Sequence, residues 1–193
     1  LKDTENGILY VFFDDNQRIY TQISNVPISS PPFPLTRNCR NTQRIHTTLM
    51  PYAVTNTETT CNGPEGRDVE IIPVSDAKEA SRELQSLLHR LIHEENIPYE
   101  EIVLLTPQSE SKSIWNSDQI LGNYILSWDM QTEMRNAIKV CSIYAYKGLE
   151  SSVVILSELD KLHTDVAQQL LYVGLSRARN HAVVLGELPD PSV

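Results

Sequence analysis

Four polar islands hold the residues of this sequence that could do chemistry. They are Phe13-Asp14-Asp15-Asn16-Gln17-Arg18-Ile19-Tyr20, Leu35-Thr36-Arg37-Asn38-Cys39-Arg40-Asn41-Thr42, Ser142-Ile143-Tyr144-Ala145-Tyr146-Lys147-Gly148-Leu149-Glu150, and Leu170-Leu171-Tyr172-Val173-Gly174-Leu175-Ser176-Arg177-Ala178-Arg179. Each falls at the end of a strand or helix, where ligand sites collect in open α/β sheets. Arg40 leads into a helix and Arg177 sits near the end of one. An arginine kept on so apolar a helix points to an anionic partner, or else to an ion pair or to the negative end of the helix dipole. What is missing is equally informative. None of the seven glycines belongs to a G-x-x-x-x-G-K-[ST] phosphate loop, and Lys147-Gly148 has the reverse order. There is no dinucleotide fingerprint, no paired C-x-x-C and no nucleophile elbow. His89 and His93 have the i, i+4 spacing of a metal pair, but they lie opposite the leucine stripe of their helix and read as a solvated face.

The elements that must position these islands alternate between strand and helix. Ile8–Phe13 reads as a buried strand, and Pro27, Pro31, Pro32 and Pro34 make 24–34 an extended connector. A short helix is expected from Asn41 to Leu49, a surface loop over 55–67 and a strand over Val69–Val74. Asp76 caps the next helix, with Glu79 as its capping-box partner, and Ala77, Ala80, Leu84, Leu87, Leu88, Leu91 and Ile92 form its apolar stripe. Strands are expected at Ile102–Thr106, Tyr124–Trp128, Ile138–Ile143, Val153–Leu156 and Ala182–Leu185, with 108–122 unassigned. Thr164–Ala178 reads as helix, with Val166, Leu170, Val173 and Arg177 on one stripe. Extending that helix would put Arg179 about 200° from Arg177, so the two could not face one small site. The pattern predicts an α/β domain around a mainly parallel sheet.

Composition limits the classes further. The 193 residues are 40% apolar and 21% charged, enough to bury a core without staples. No apolar run is long enough to span a membrane, and the N-terminus has no secretory pattern. Three widely spaced cysteines, Cys39, Cys61 and Cys141, favour a reducing compartment over a disulfide framework. The formal charge of −9 argues at first against nucleic acid. All of that deficit lies in residues 51–130; the segments carrying the islands are close to neutral.

Taken in order, the islands resemble the later motifs of UvrD/Rep/PcrA-type superfamily-one DNA helicases. The first resembles G-D-x-x-Q-x-I-Y, the second N-Y-R-S, the third T-I-H-x-x-K-G-L-E and the last L-Y-V-A-x-T-R-A-R. The N-C-R-N-T and F-D-D-N-Q variants look closest to the bacterial branch associated with nuclease-related (NERD) domains. In this family ATP lies between two RecA-like domains, the first of which brings the phosphate loop and the acidic magnesium residues. The resemblance implies that residues 1–23 end the first RecA-like domain and that 24–193 form the second. That second domain would lack both the phosphate loop and the large 2B insertion.

The resemblance also implies roles. Gln17 would sense the γ-phosphate, and Arg40 and Arg177 would be finger-like arginines on the transferring phosphoryl group. Glu150, with Gly148 beside it, would hold the ribose. Tyr20 would stack on a base, with Ser142 and Tyr144 near a single DNA strand. ATP and Mg2+ would bind only together with the N-terminal RecA-like domain, the chain's expected partner along with single-stranded DNA. The chain alone would be a monomeric, catalytically silent piece of a cytoplasmic, bacterial helicase. Phe13 stands where the family has glycine, Cys39 where it has an adenine-stacking tyrosine, and Tyr144 where it has histidine. The alternatives are a scaffold that has lost its ATPase partner and, less favoured without a phosphate loop, an unrelated nucleotide-binding α/β enzyme.

Overall fold

A computed structural model describes residues 11–12, 14–17, 19, 31, 33–55, 59–162 and 166–191. The expected first strand and proline-rich connector fall mostly outside these residues. Seven strands form one sheet: β3 (Glu70–Ile72), β4 (Ile102–Thr106), β5 (Ile120–Leu121), β6 (Tyr124–Ser127), β7 (Ala137–Ser142), β8 (Ser151–Ser157) and β9 (Ala178–Leu185). Their spatial order is β3-β9-β8-β4-β7-β6-β5, and every neighbouring pair is parallel except the β5–β6 hairpin. A two-residue parallel pair, β1 (Arg37–Asn38) with β2 (Thr60–Cys61), stands apart. This is the mainly parallel α/β sheet that the alternation predicts.

The central strands are apolar throughout because both faces are covered. Val103 and Leu105 of β4 join one core with Val154 and Leu156 of β8, under α1 (Gln43–Leu49) and α3 (Ala167–Ser176). Ile102 and Leu104 point the other way, with Val153 and Ile155, into a second core beneath α2 (Ala77–His89). Thr42 caps α1 by accepting from the Ile45 amide, and Asp76 caps α2 by accepting from the Glu79 amide. The capping box closes one residue earlier than expected, since the Glu79 carboxylate takes the amide and hydroxyl of Ser75 instead of the Asp76 amide.

Two expectations are corrected. The last helix ends at Ser176, with Arg177 as its C-cap, and the chain turns straight into β9. Arg179 is therefore a strand residue, paired to Glu101 at 2.8 Å and to the Ser152 hydroxyl at 3.0 Å. It is separated from Arg177 by that ion pair, not by helical rotation. The unassigned stretch 108–122 contains Trp115, which is fully buried and donates its indole N–H to Ser157 Oγ at 3.2 Å. His89 and His93 are exposed, as the periodicity predicts, and their rings are 4.8 Å apart. Among the described residues no group of three His, Cys, Asp or Glu could hold a metal, and no helix is long and apolar enough to cross a membrane. All three cysteines are free thiols.

A buried histidine gives the fold a defined acid sensitivity. His181 of β9 is almost fully buried, and neither ring nitrogen has a hydrogen-bond partner among the described residues. The nearest charge is the Glu70 carboxylate, 3.5 Å from Nε2. Burial, followed by repulsion from Arg67, pushes the imidazole below its ordinary pKa, and Glu70 only partly offsets this. The folded state thus favours the neutral ring. As pH falls below the unfolded value of about 6.5, the unfolded chain takes up the proton first and stability drops. The thermal midpoint is expected to stay level from pH 8 to 7 and to decline by pH 5.5. His181→Gln should flatten that slope; an equal slope in the variant would exclude His181 as its source.

Candidate functional site

The second, third and fourth islands converge where β8 and β9 begin. Arg40, in the turn between β1 and α1, pairs through Nε with Glu150 Oε2 at 2.9 Å, and each side chain is 43% exposed. Glu150 immediately precedes β8. Arg177, at the C-terminus of α3, is 1% exposed. Its guanidinium is held by Val173 O at 3.2 Å, Leu149 O at 3.3 Å and Ser176 Oγ at 2.8 Å. Among the described residues no carboxylate lies within 4 Å of it. Burial and then the nearby Arg40 push its pKa down from the usual guanidinium range, while Asp14 and Glu150 pull it up. Arg40 is thus paired directly with Glu150 while Arg177, close enough for the two arginines to repel, is balanced only at a distance, which leaves positive charge suited to an anion.

The first island reaches the same cluster from the side. Asp14 caps a short 3-10 turn, Asp15–Gln17, accepting from the Asn16 amide at 3.0 Å and from Gln17 Nε2 at 2.8 Å. Its charge is felt by both Arg177 and Tyr172. Burial raises the Tyr172 phenol, Asp14 adds to that rise, and a hydrogen bond with Asn16 together with Arg177 and Arg40 works against it. Gln17 is therefore tied to the carboxylate that faces Arg177. Tyr20, the expected base-stacking residue, lies outside the described residues, as do Phe13 and Arg18. Gly148 turns at φ 93°, and a Cβ there would meet nothing within 4 Å, so the loop before Glu150 is open on that side.

Ser142 and Tyr144 sit elsewhere. They line a cavity of about 280 Å³ at the opposite end of the strands, with Gln108, Lys112 and Lys161. Ser142 Oγ accepts from the Ala145 amide at 3.2 Å, which holds the turn out of β7. The expected site residues thus divide into two groups. Gln17, Arg40, Gly148, Glu150 and Arg177 cluster near the starting edge of the sheet, and Ser142 and Tyr144 stand at its finishing edge. Sequence reasoning assigned no role to Asp14, Tyr172 or Asn41, although all three lie inside the islands. Nothing in the sequence marked Glu158, whose buried carboxylate braces the finishing edge.

The third and fourth islands have a counterpart among known families. Residues 138–185 match the UvrD-like helicase C-terminal domain. The UvrD-like segment runs from β7 through β9 and contains Ser142, Tyr144, Gly148, Glu150 and Arg177, whereas Gln17 and Arg40 lie outside it. Among solved structures, one similar to this chain is the C-terminal domain of a possible DNA helicase from Lactobacillus plantarum WCFS1. It shares 18% identity at a TM-score of 0.59, over 79% of this chain and 91% of that one. That likeness shows the fold, a mostly parallel sheet with flanking helices. No curated protein matches the chain.

The cluster presents cationic hydrogen-bond donors suited to an anionic group. Arg40 offers an exposed fork of donors whose described ion-pair partner, Glu150, is itself solvent-exposed. Arg177 supplies a second, deeper positive charge. Of the nearby carboxylates, Asp14 is occupied by Gln17 and the Asn16 amide, and Glu150 by Arg40, leaving no prepared oxygen set for Mg2+.

Proposed function

We propose that this chain is the second motor domain of an ATP-dependent DNA helicase or translocase. One observation carries the reading: Arg40, Glu150 and Arg177, from three islands far apart in sequence, meet in one cluster. Bound ATP would supply the transferable phosphoryl group, with Mg2+ held by the partner RecA-like domain. Arg40, the exposed guanidinium, exchanges Glu150 for phosphate oxygens. Arg177 adds positive potential from behind it in a water-poor setting, where such charge counts most. Glu150, once released, accepts from ribose hydroxyls beside the open Gly148 turn. Gln17 reports phosphate occupancy through Asp14. Ser142 and Tyr144, with Tyr20, contact single-stranded DNA, so the two ends of the sheet divide fuel from track. The setting we infer from the motif variants is the bacterial cytoplasm.

The test begins with the coding sequence upstream of Leu1. A G-K-[ST] loop and an acidic D-E-x-Q-like strand there are expected, and the joined protein should hydrolyse ATP faster with single-stranded DNA present. The isolated chain should turn over none; hydrolysis by the isolated chain at an ordinary enzymatic rate would reject the reading. The second reading, a scaffold without ATPase function, draws on Arg177 being turned into backbone carbonyls and Arg40 being neutralised. Absence of a phosphate-loop partner, with nucleic-acid or protein binding retained, would select it.

A further inference from the structure

We propose that Asn41 is a positioning residue, an amide clamp that holds the backbone at Arg177 in register with Arg40. The proposal rests on the phosphate-facing reading of the arginine cluster. Asn41 follows Arg40 directly and is nearly fully buried. Its Nδ2 donates to Ser176 O at 3.2 Å and to Ala178 O at 2.6 Å, the carbonyls on either side of Arg177. Its Oδ1 accepts from Asn38 Nδ2 at 2.8 Å. Asn38 Oδ1 in turn accepts from the Arg40 and Asn41 amides at 3.0 and 3.2 Å. Both N–H donors of the side chain are thus engaged, along with its oxygen.

These bonds complete a circuit through the cluster. The carbonyl of Arg177 accepts from the Ser151 amide at 3.0 Å. Ser151 adjoins Glu150, Glu150 pairs with Arg40, and Arg40 adjoins Asn41. The chain leaving α3 is therefore pinned by Asn41 on one side and by β8 on the other. The Ser176 carbonyl belongs to the last turn of a helix, where it has no partner within the helix. Only a side chain carrying two N–H donors can serve both flanking carbonyls from this position. Aspartate, of the same shape, would aim an oxygen at two oxygens, and serine could serve only one of them. The loop after β2 closes over the clamp so tightly that a Cβ at Gly63 would lie 2.1 Å from Asn41 O.

Without the clamp, Arg177 loses its fixed distance from Arg40, and a misplacement of about 1 Å at a transferring group costs on the order of 100-fold in rate. The experiment measures single-strand-stimulated ATP turnover of the full-length protein carrying Asn41→Ala, Asn41→Asp or Asn41→Ser. Leu88→Ala, in the core on the opposite face of the sheet, is the control for lost stability, and Arg40→Ala tests the cluster itself. For Asn41→Ala and Asn41→Asp, kcat is expected to fall roughly 10- to 100-fold with KM for ATP changed by less than about 3-fold. Asn41→Ser should fall between these variants and wild type, and Leu88→Ala should keep its kcat below its melting temperature. Wild-type kcat in Asn41→Ala overturns the proposal, as does a loss no greater than that of an equally destabilised Leu88→Ala. If Asn41→Ala does not fold, Asn41→Ser decides by the same criteria. Normal turnover in Arg40→Ala removes the phosphate reading and this proposal with it; an inactive Arg40→Ala beside a normal Asn41→Ala removes the clamp alone.

Discussion

On the proposed function, Arg40→Ala in the full-length protein is expected to lower ATP turnover by about 10³-fold or more, the usual scale for an arginine finger, while hardly changing stability. The two effects separate because of where Arg40 sits. Its described ion-pair partner is Glu150, and both side chains are 43% exposed, so screening leaves that pair worth less than about 1 kcal/mol. The thermal midpoint should move by no more than about 2–4 °C. Arg177→Ala should abolish turnover as well, but with a measurable cost in stability. Removing it leaves a cavity and takes the side-chain donor from Leu149 O, while Val173 O and Ser176 Oγ keep their bond to each other at 2.8 Å. Arg177→Lys keeps the charge but not the three-way hydrogen bonding, and should recover little activity. Single-strand binding should survive in all three variants, because Ser142 and Tyr144 lie at the other end of the sheet. Steady-state turnover, thermal melts and oligonucleotide titration check these outcomes. Unchanged turnover in Arg40→Ala would take Arg40 out of the site.

The parts of this architecture that could be read from sequence are those where local pattern and burial agree. Ile102–Thr106 and Val153–Leu156 are apolar throughout, as strands buried on both faces must be, and α2 displays both its cap and its stripe. The boundary at Arg177 was not legible. The polar stretch Ser176–His181 interrupts the apolar residues of Leu170–Leu185, and its local pattern does not show that Ala178 onward already runs as strand. What fixes that boundary is tertiary: the Ser151 amide and the Asn41 side chain take the three carbonyls from Ser176 to Ala178. The convergence of Arg40, Glu150 and Arg177 was legible only through their motifs, since no spacing rule brings residue 40 to residue 177. Polar 108–122 concealed a buried tryptophan because its burial depends on partners some 40 residues away.

Glu158 is the most extreme case of such hidden dependence, and its replacement should give the largest loss of stability. It follows β8 in the left-handed region, at φ 59°, with its side chain 2% exposed. Its carboxylate accepts from Thr106 Oγ1 at 2.7 Å, from the Ile114 amide at 3.2 Å, from Ser113 Oγ and from Lys161 Nζ. One acid thus ties the end of β4, the segment carrying Trp115 and the turn after β8 into a single edge. Alanine there takes the acceptor from one buried donor, Thr106 Oγ1, and two half-buried ones, Ser113 Oγ and the Ile114 amide, while Lys161, 36% exposed, can turn to water. We expect a loss of about 3 kcal/mol, at the low end for breaking a buried pair, or a midpoint lower by roughly 6–12 °C. Glu158→Gln keeps the volume and one acceptor oxygen and should cost about half as much. The same network fixes the sign of the acid response. Burial alone would raise this carboxyl, but the hydrogen bonds from Lys161, Ser113, Thr106 and Ile114 outweigh it and hold the pKa below the ordinary value. Its contribution is therefore complete above about pH 4.3, the unfolded value, and is lost as pH falls through the lower folded one. Acid unfolding should show two stages, the His181 decline below about pH 6.5 and the Glu158 decline below about pH 4.3. Glu158→Gln should shrink the second stage, leaving the smaller share of Glu79 and Glu101, whose carboxyls are also held low, and should leave the first unchanged; a wild-type profile in that variant would place the acid-labile group elsewhere.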